Sequence, residues 1–391
     1  MDYCDAINKL PENSGNSLYG KNYLRTWDMS SEEIISVARG ACALKAMRES
    51  NVSPKIFDSG VAVSMFSKED SGMKLAYAAG CDLLGLTIID MDKKLNNSNI
   101  NENAAMASYM ADTLGVCESD FIEKSSRYIK RVADTVEESK KNGVITDKPC
   151  VLNLGSDEDS PVQTIADLQY MAAKFGGIEN LKGKKIAVTW AYSPNGTRSL
   201  AVPQGLVSLV TRFGMNVVLA APEGMDLMPE VYERAEKNSE LSGGTFTRTD
   251  SMEEAFADAD IVIPMNWAPY TFLEKRTELS AANLGSYIDL LENELRENNN
   301  NFIDWEATEE MMEKTKDGKG LLMHDLPVDI TDISCIRGEM TAQVYNANVD
   351  SLLAEAGIRP YVIAAMIILT KSEDPRAAFK TIAERATKRY F

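Results

Sequence analysis

The sequence contains a single histidine, His324, among its 391 residues. Zinc sites built on several histidines, and acid/base pairs of two histidines, are therefore excluded. The six cysteines are widely separated, and no two of them form a Cys-x-x-Cys pair. That spacing favours reduced, mostly buried thiols over a thiolate metal site.

Positive charge and long apolar runs are also in short supply. The chain has 41 lysines and arginines against 59 aspartates and glutamates, so its net charge of −18 repels nucleic acid and anionic membranes. The longest apolar run, 361–369, is too short to span a bilayer, and residues 1–16 lack the apolar segment of a signal peptide. These features predict a cytoplasmic protein that binds neither nucleic acid nor membrane.

Two common phosphate-binding motifs are missing as well. No Gly-x-Gly-x-x-Gly follows a predicted strand, so a dinucleotide site of the Rossmann type has little support. Segment 177–184 has the wrong spacing for a P-loop, and neither Ser nor Thr follows its final lysine. Any anionic ligand must therefore be held by some other local arrangement of donors.

What the sequence does contain is an alternation of strand and helix patterns. In the first half, Ser30 and Glu33 form a capping box that predicts a long helix beginning near Ser31. A strand, loop, helix, strand unit follows, which is typical of a parallel sheet. The predicted elements are strand 55–66, loop 67–72, helix 74–85, strand 86–89, loop 96–103, helix 104–114, strand 150–154 and a connecting helix from Pro161 to Phe175.

The second half alternates more regularly and predicts a second doubly wound sheet. A late strand, 321–324, delivers His324 to the carboxyl edge, where ligands of open α/β sheets bind. The other predicted elements are strands 185–190, 216–220, 245–248 and 261–264 and helices 202–213, 229–241 and 252–257.

The predicted fold class is therefore α/β, with two doubly wound parallel-sheet domains linked by helices. The C-terminal helices, 361–370 and 375–390, are expected to pack back on the first half. The domains then comprise residues 1–160 together with 355–391, and residues 161–354.

Several short motifs occur along this framework in a fixed order. The connecting helix opens with Ser-Pro-x-Gln at 160–163, and the late strand ends in His-x-Leu-Pro at 324–327. With these motifs the chain resembles the aspartate/ornithine carbamoyltransferase family over nearly its whole length. It is most similar to the knotted branch, whose members carbamoylate acylated or ureido amino acids, and this implies that 192–203 threads the second domain as a knot. The motifs behind this likeness are Thr-Trp-Ala-Tyr-Ser-Pro at 189–194, Ala-Val-Pro at 201–203, Pro-Glu-Gly at 222–224 and Asn-Trp-Ala-Pro-Tyr at 266–270.

The resemblance implies a carbamoyl-phosphate domain followed by a second-substrate domain. In such enzymes cationic and N–H donors hold carbamoyl phosphate while a neutral amine attacks its carbonyl carbon. His324, Gln163 and Arg359 are the candidate catalytic residues around the carbamoyl group. The other candidates are Ser71, Gly72, Met73 and Lys74 for carbamoyl phosphate, and Trp190, Asn266, Trp267, Asp325 and Leu326 for the second substrate. The resemblance also implies a homotrimer without metal or organic cofactor.

Three positions have lost charge relative to the family. The phosphate loop, 70–74, reads Asp-Ser-Gly-Met-Lys where the family has Ser-x-Arg-Thr-Arg, so a guanidinium is missing and a carboxylate is added. Ser160 replaces a histidine, and Met265 stands where knotted relatives often carry lysine. Three functions therefore remain open: a carbamoyltransferase, a ligand-binding or scaffold protein that has lost carbamoyl phosphate binding, and an enzyme for a phosphate-free carbamoyl-like substrate.

The candidate residues also have structural alternatives. Segment 70–74 is either a solvated turn or an anion site at the start of a helix. His324 is either a satisfied structural residue or a donor to a developing oxyanion, and the neighbouring Asp325 is expected to favour the imidazolium. The same choice between ligand contact and a packing or surface role applies to Trp190, Trp267 and Arg359.

Overall fold

The computed structural model describes residues 3–10, 17–67, 71–91, 100–119, 121–196 and 198–390. Its internal contacts divide the chain into two compact units. The first comprises Met1–Ser156, Ser160–Gln169 and Gly357–Phe391, and the second comprises Asp157–Asp159 and Tyr170–Ala356. Each unit is built on a parallel sheet, so the predicted α/β class with two parallel-sheet domains is confirmed.

The first unit has a four-stranded parallel sheet in the order β2-β1-β3-β4. The central strands β1 and β3 are almost completely buried, whereas β2 is a largely exposed edge strand. With elements numbered in chain order, the unit contains α1 Tyr3–Asn8, α2 Ser31–Glu49, β1 Val61–Phe66, α3 Ser71–Leu84, β2 Thr87–Met91, α4 Ile100–Met110, β3 Thr113–Cys117, α5 Lys124–Lys141, β4 Cys150–Gly155, the first part of α6 Pro161–Phe175, α14 Arg359–Lys371 and α15 Pro375–Arg385.

Local signals account for several of these boundaries. The side chain of Ser30 accepts from the N–H of Glu33, while the Glu33 carboxylate accepts from the N–H of Ser30, so α2 begins with the predicted capping box. Helices α3 and α14 approach closely at Gly80, where a Cβ would lie 2.6 Å from the carbonyl oxygen of Pro360. Only glycine permits this contact, which seats the start of α14 against α3.

The region between β2 and β4 differs most from the prediction. The predicted loop 96–103 is helical from Ile100 onward, and residues 96–99 lie outside the described residues. The predicted helix 104–114 ends at Met110, and Thr113 begins β3. The run Thr-Leu-Gly-Val-Cys is buried at every position between β1 and β4, and periodicity cannot distinguish such a short apolar strand from helix.

The second unit has a five-stranded parallel sheet in the order β7-β6-β5-β8-β9. The chain runs outward from β5 through β6 to β7 and then returns to the other side of β5. The elements are α6 from Tyr170 onward, β5 Lys185–Trp190, α7 Ala201–Val210, β6 Asn216–Ala220, α8 Pro229–Ser242, β7 Thr245–Thr249, α9 Met252–Phe256, β8 Ile261–Met265, α10 Tyr270–Ala281, α11 Gly285–Asn299, α12 Glu309–Glu313, β9 Leu321–Leu322 and α13 Ala342–Ala356.

The reversal of strand order places the carboxyl ends of β5 and β8 side by side. Ligands of open α/β sheets bind at such a switch point. Strand β9 is shorter than predicted, and His324 follows it by two residues in irregular backbone. The segments that follow β5, β8 and β9 therefore meet at the carboxyl edge of the sheet, where a ligand is expected to bind.

One stretch, Ala342–Lys371, is long and apolar enough to cross a membrane by length and composition. In the structure it forms α13 and α14, and 67% of its most apolar window is buried inside the protein. Core helices of folded proteins meet the same criterion, so the stretch is a weak indication of a membrane span.

Candidate active site

The imidazole of His324 faces a buried carboxylate in the second unit. Its Nε2 lies 3.3 Å from Oε1 of Glu339, and both side chains are completely shielded from solvent. The two ring nitrogens make no hydrogen bond of normal geometry within the described part of the chain, so the pair is a close electrostatic contact. The backbone N–H of His324 donates to Oε2 of Glu355 at 3.2 Å, which fixes the backbone beneath the ring.

Three groups hold Glu339 in addition to its contact with His324. Its Oε1 accepts from the backbone N–H of Asn266 at 2.7 Å, and its Oε2 accepts from that of Asp329 at 2.8 Å. The guanidinium of Arg198 lies 3.3 Å from Oε2. Burial alone would raise the pKa of Glu339, but His324 and Arg198 outweigh it and lower the pKa below its ordinary value. The carboxylate is therefore ionised at neutral pH.

A second carboxylate, Asp329, extends this cluster. It accepts from the hydroxyl of Ser193 at 2.6 Å, from Nη2 of Arg198 at 2.9 Å and from Nδ2 of Asn195 at 3.1 Å. Desolvation would raise the pKa of Asp329, yet these donors together lower it. The segment after β5 is thereby bonded to the segment after β9, and its threading as a knot stays a prediction.

Asn266 and the two tryptophans lie at the switch point between β5 and β8. Nδ2 of Asn266 donates to the carbonyl of Ala191 at 2.8 Å, whereas its buried Oδ1 has no hydrogen-bond partner in the described part of the chain. Nε1 of Trp190 donates to the carbonyl of Trp267, and Nε1 of Trp267 donates to that of Met225. Both indoles are fully buried and satisfied, so packing explains them, and contact with a second substrate stays a prediction.

Glu339, which no sequence pattern indicated, supplies a carboxylate that faces the ring of His324. The expectation that Asp325 favours the imidazolium stays a prediction. Asp325 and Leu326 are half-buried, and the peptide bond from Leu326 to Pro327 is cis. Neither Glu339 nor Arg198 was predicted, because both belong to irregular segments in which no periodic pattern indicates burial.

The candidate phosphate segment lies in the first unit and is helical. Helix α3 begins at Ser71 instead of Lys74, so Gly72 and Met73 lie in its first turn; Asp70 and the side chain of Ser71 are outside the described residues. Gly72 is exposed and Met73 is buried. Nζ of Lys74 lies 2.7 Å from Oδ2 of Asp90, and Oδ1 of the same carboxylate accepts from the hydroxyl of Ser64. Lys74 and Ser64 lower the pKa of Asp90, so Lys74 already has an anionic partner.

Gln163 and Arg359 also belong to the first unit. Gln163 is buried in the first turn of α6 and donates to Oδ1 of Asp167 at 2.6 Å. Its buried Oε1 accepts no hydrogen bond in the described part of the chain. Arg359 is the first residue of α14 and is also buried. A buried amide oxygen without a donor and a buried guanidinium are both groups that a polar ligand can satisfy.

One cavity of about 400 Å³ lies elsewhere in the second unit, at the carboxyl ends of β6 and β7. None of the predicted site residues lines it. Its wall includes Arg248, which stacks 4.0 Å from the ring of Tyr232 and pairs with Asp226 at 2.6 Å. No group of three or more His, Cys, Asp or Glu side chains suited to a metal ion occurs among the described residues.

Comparisons with known proteins show the family of the chain. The model of the aspartate/ornithine carbamoyltransferase carbamoyl-P binding domain matches residues 21–173, and the model of the Asp/Orn binding domain matches residues 184–370. A protein of Escherichia coli (strain K12), YgeW, whose name gives its carbamoyltransferase activity only provisionally, is 43% identical over 376 residues, with 95% of each chain covered. An ornithine carbamoyltransferase of Corynebacterium glutamicum is 26% identical and covers 91% of this chain and 98% of its own.

Solved structures show the same fold. Acetylornithine transcarbamylase complexed with acetylcitrulline matches with a TM-score of 0.71 at 21% identity, covering 88% of this chain and 98% of its own. Ornithine carbamoyltransferase from Pyrococcus furiosus matches with a TM-score of 0.72 at 21% identity, covering 91% of this chain and 98% of its own.

Proposed function

Because the chain belongs to the aspartate/ornithine carbamoyltransferase family, we propose that it transfers a carbamoyl group between phosphate and a nitrogen of an acylated or ureido amino acid. The observation that carries this proposal is the buried pair of His324 and Glu339 at the carboxyl edge of the second sheet. The acetylornithine transcarbamylase structure, which holds acetylcitrulline, supports an acylated amino acid as the second substrate.

The proposed reaction forms one bond and breaks one. The lone pair of a neutral substrate nitrogen attacks the carbamoyl carbon, and the bond from that carbon to the phosphate oxygen breaks with its electron pair on phosphate. The nitrogen loses its proton to the departing phosphate or to solvent. His324 donates to the carbamoyl oxygen as negative charge develops there, and Glu339 stabilises the protonated ring that can donate.

Gln163 and Arg359 would hold the carbamoyl group. Oε1 of Gln163 is a buried acceptor, which suits the amide N–H of a carbamoyl group. Arg359 is a buried cation, which suits a carbonyl or phosphate oxygen. In the second unit, the buried Oδ1 of Asn266 would accept from the second substrate, beside Trp190, Trp267, Asp325 and Leu326 as the other candidate lining residues.

At the phosphate end of the site, the first unit offers both backbone donors and an opposing carboxylate. The first-turn N–H groups of α3, from Ser71 to Lys74, form the type of helix N-terminus that binds phosphate. Asp90 opposes this, since its carboxylate pairs with Lys74 and repels an anion. This observation favours the second candidate function, a ligand-binding or scaffold protein, or an enzyme for a phosphate-free carbamoyl-like substrate.

Calorimetric titration with carbamoyl phosphate at low salt, with inorganic phosphate as control, tests the first step. Transfer is then measured as phosphate release with N-acetylornithine, N-succinylornithine and ureido amino acids as acceptors, and in reverse as phosphate-dependent cleavage of acetylcitrulline. His324→Asn is the inactive control, and Glu230→Gln in the exposed pair with Arg234 is the neutral control. Saturable binding of carbamoyl phosphate would support the transferase, and no detectable heat would favour a scaffold protein. Turnover of a ureido acid without phosphate would support the phosphate-free enzyme.

We also propose a cytoplasmic homotrimer, for which the first unit offers an apolar surface. Met106, Tyr109 and Met110 lie on one face of α4 and are at least half exposed, and Ile89 is half exposed on the edge strand β2. Exposed apolar side chains on a helix face and an unpaired strand edge are typical of a surface that a second copy covers. Sedimentation of the wild type and of Met110→Lys tests this, because the variant should dissociate to monomers if α4 is an interface.

A further inference from the structure

Arg198 contacts three groups of the candidate active site at once. Its Nη1 donates to the carbonyl of Pro327 at 2.7 Å, and its Nη2 donates to Oδ2 of Asp329 at 2.9 Å. The same Nη2 lies 3.3 Å from Oε2 of Glu339. Its own carbonyl accepts from the N–H of Ala268 at 3.0 Å, so backbone and side chain together join the segments that follow β5, β8 and β9.

The exposed fraction of the side chains increases from His324 and Glu339 through Asp329 to Arg198. The side chains of His324 and Glu339 are 0% exposed, that of Asp329 is 12% exposed and that of Arg198 is 24% exposed. Arg198 therefore lies between the buried histidine pair and solvent, and it is one of the two cations that lower the pKa of Glu339. A buried carboxylate without such cations would take up a proton.

We propose that Arg198 is a positioning residue for His324, acting through Glu339. The guanidinium keeps Glu339 ionised and holds its Oε2, so that Oε1 stays directed at the imidazole. The effect of Arg198 on catalysis rests on the proposed carbamoyl transfer. Its effect on the electrostatic surroundings of the imidazole does not depend on that function. The geometry also requires arginine, because its planar fork bonds a carbonyl and a carboxylate together while lysine is a point charge.

The Glu339 carboxylate is also held by the backbone N–H groups of Asn266 and Asp329. These two bonds support the carboxylate when Arg198 is replaced, so the loss of the guanidinium should leave the packing intact while it removes the charge and the contact at Oε2. Arg198→Gln removes both the charge and the fork, and Arg198→Lys removes only the fork. Arg234→Gln, in the surface pair with Glu230, is the matched control.

The single histidine makes a direct test possible. With ring-¹⁵N-labelled histidine, the full-length protein gives the imidazole signals of His324 alone, without assignment. In Arg198→Gln the ring ¹⁵N signals at neutral pH should move away from those of the wild type, because the guanidinium beside Glu339 is gone and the carboxylate that faces the imidazole changes. Arg198→Lys should lie between the two, and Arg234→Gln should match the wild type. Superimposable wild-type and Arg198→Gln spectra at every pH would overturn the proposal.

Steady-state kinetics of Arg198→Gln distinguish a failure of this inference from a failure of the proposed function. If the wild type transfers carbamoyl groups, Arg198→Gln should lower kcat at least tenfold with less than a threefold change in the KM for carbamoyl phosphate. A change confined to KM would contradict a positioning role. If the wild type transfers nothing, the proposed function fails, and the NMR spectra alone still decide whether Arg198 acts on His324.

Discussion

The carboxylate of Glu339 lies 3.3 Å from the imidazole of His324, and neither side chain reaches solvent. A charge pair in such a place is expensive to desolvate and gives little net stability compared with an apolar pair. It is maintained here by two backbone N–H donors and by Arg198. A fold that only needed to fill this space would do so at lower cost with apolar side chains, so the pair points to chemistry at the edge of the second sheet.

Replacing either member of the pair should abolish activity and weaken the fold. His324→Asn and Glu339→Gln should each lower carbamoyl transfer at least a hundredfold, because the donor to the developing oxyanion is lost or misdirected. Each leaves a buried group without its partner, so urea denaturation should show a loss of about 3 kcal/mol. The double variant should cost less than the sum of the two. Turnover at the wild-type rate in His324→Asn would remove the histidine from the mechanism.

Glu339 also predicts how stability depends on pH. Its folded pKa lies below its ordinary value of 4.5, so it contributes stability that is fully present above that pH and is lost as the pH falls through the folded pKa. The gap in unfolding free energy between wild type and Glu339→Gln should therefore shrink as the pH falls below about 4.5. Glu230→Gln, on the exposed face of α8, should show no such trend. A gap that widened with acid would mean that the carboxyl is protonated in the native state.

Regular elements of the fold were predictable because their signals are local. The strand at 185–190, the strand at 216–220 and the helix from Pro161 to Phe175 have the predicted boundaries, since each has a continuous apolar or periodic run bounded by Gly, Pro or polar residues. Helix α5 was not predicted, and the first residues of strand β3 were assigned to the end of a helix. The five residues of β3 resemble the end of a helix in sequence, and only their burial between two strands decides the matter.

The candidate site was less predictable for a related reason. The His-x-Leu-Pro motif identified His324, but its partner Glu339 lies 15 residues later, beyond a loop without regular structure. Arg198 reaches Asp329 across 131 positions of sequence. Such contacts are created by the order of strands in the sheet, which brings together the segments after β5, β8 and β9. The charge pattern of a single sequence does not indicate the order of the strands in the sheet.

The start of α3 predicts how phosphate binding can be restored. Gly72→Arg places a guanidinium in the exposed first turn and should strengthen the binding of carbamoyl phosphate about tenfold, as measured by calorimetry. Leu75→Arg adds the same charge to an exposed position of the same helix and should have little effect. Equal gains in both variants would show that net charge, and not a site at the helix N-terminus, accounts for the binding.

Asp90 provides the complementary experiment, because it contributes the anion that opposes phosphate in the first unit. Its carboxylate lies 2.7 Å from Nζ of Lys74, and both side chains are about half exposed. Asp90→Asn preserves the shape but frees Lys74 for an anionic ligand, so the affinity for carbamoyl phosphate should rise about tenfold, and less at high salt. Asp134→Asn, in the exposed pair with Lys130, is the matched control and should leave binding unchanged. Unchanged binding in Asp90→Asn would mean that Lys74 does not contact the ligand, and the anion site at the start of α3 would have to be abandoned.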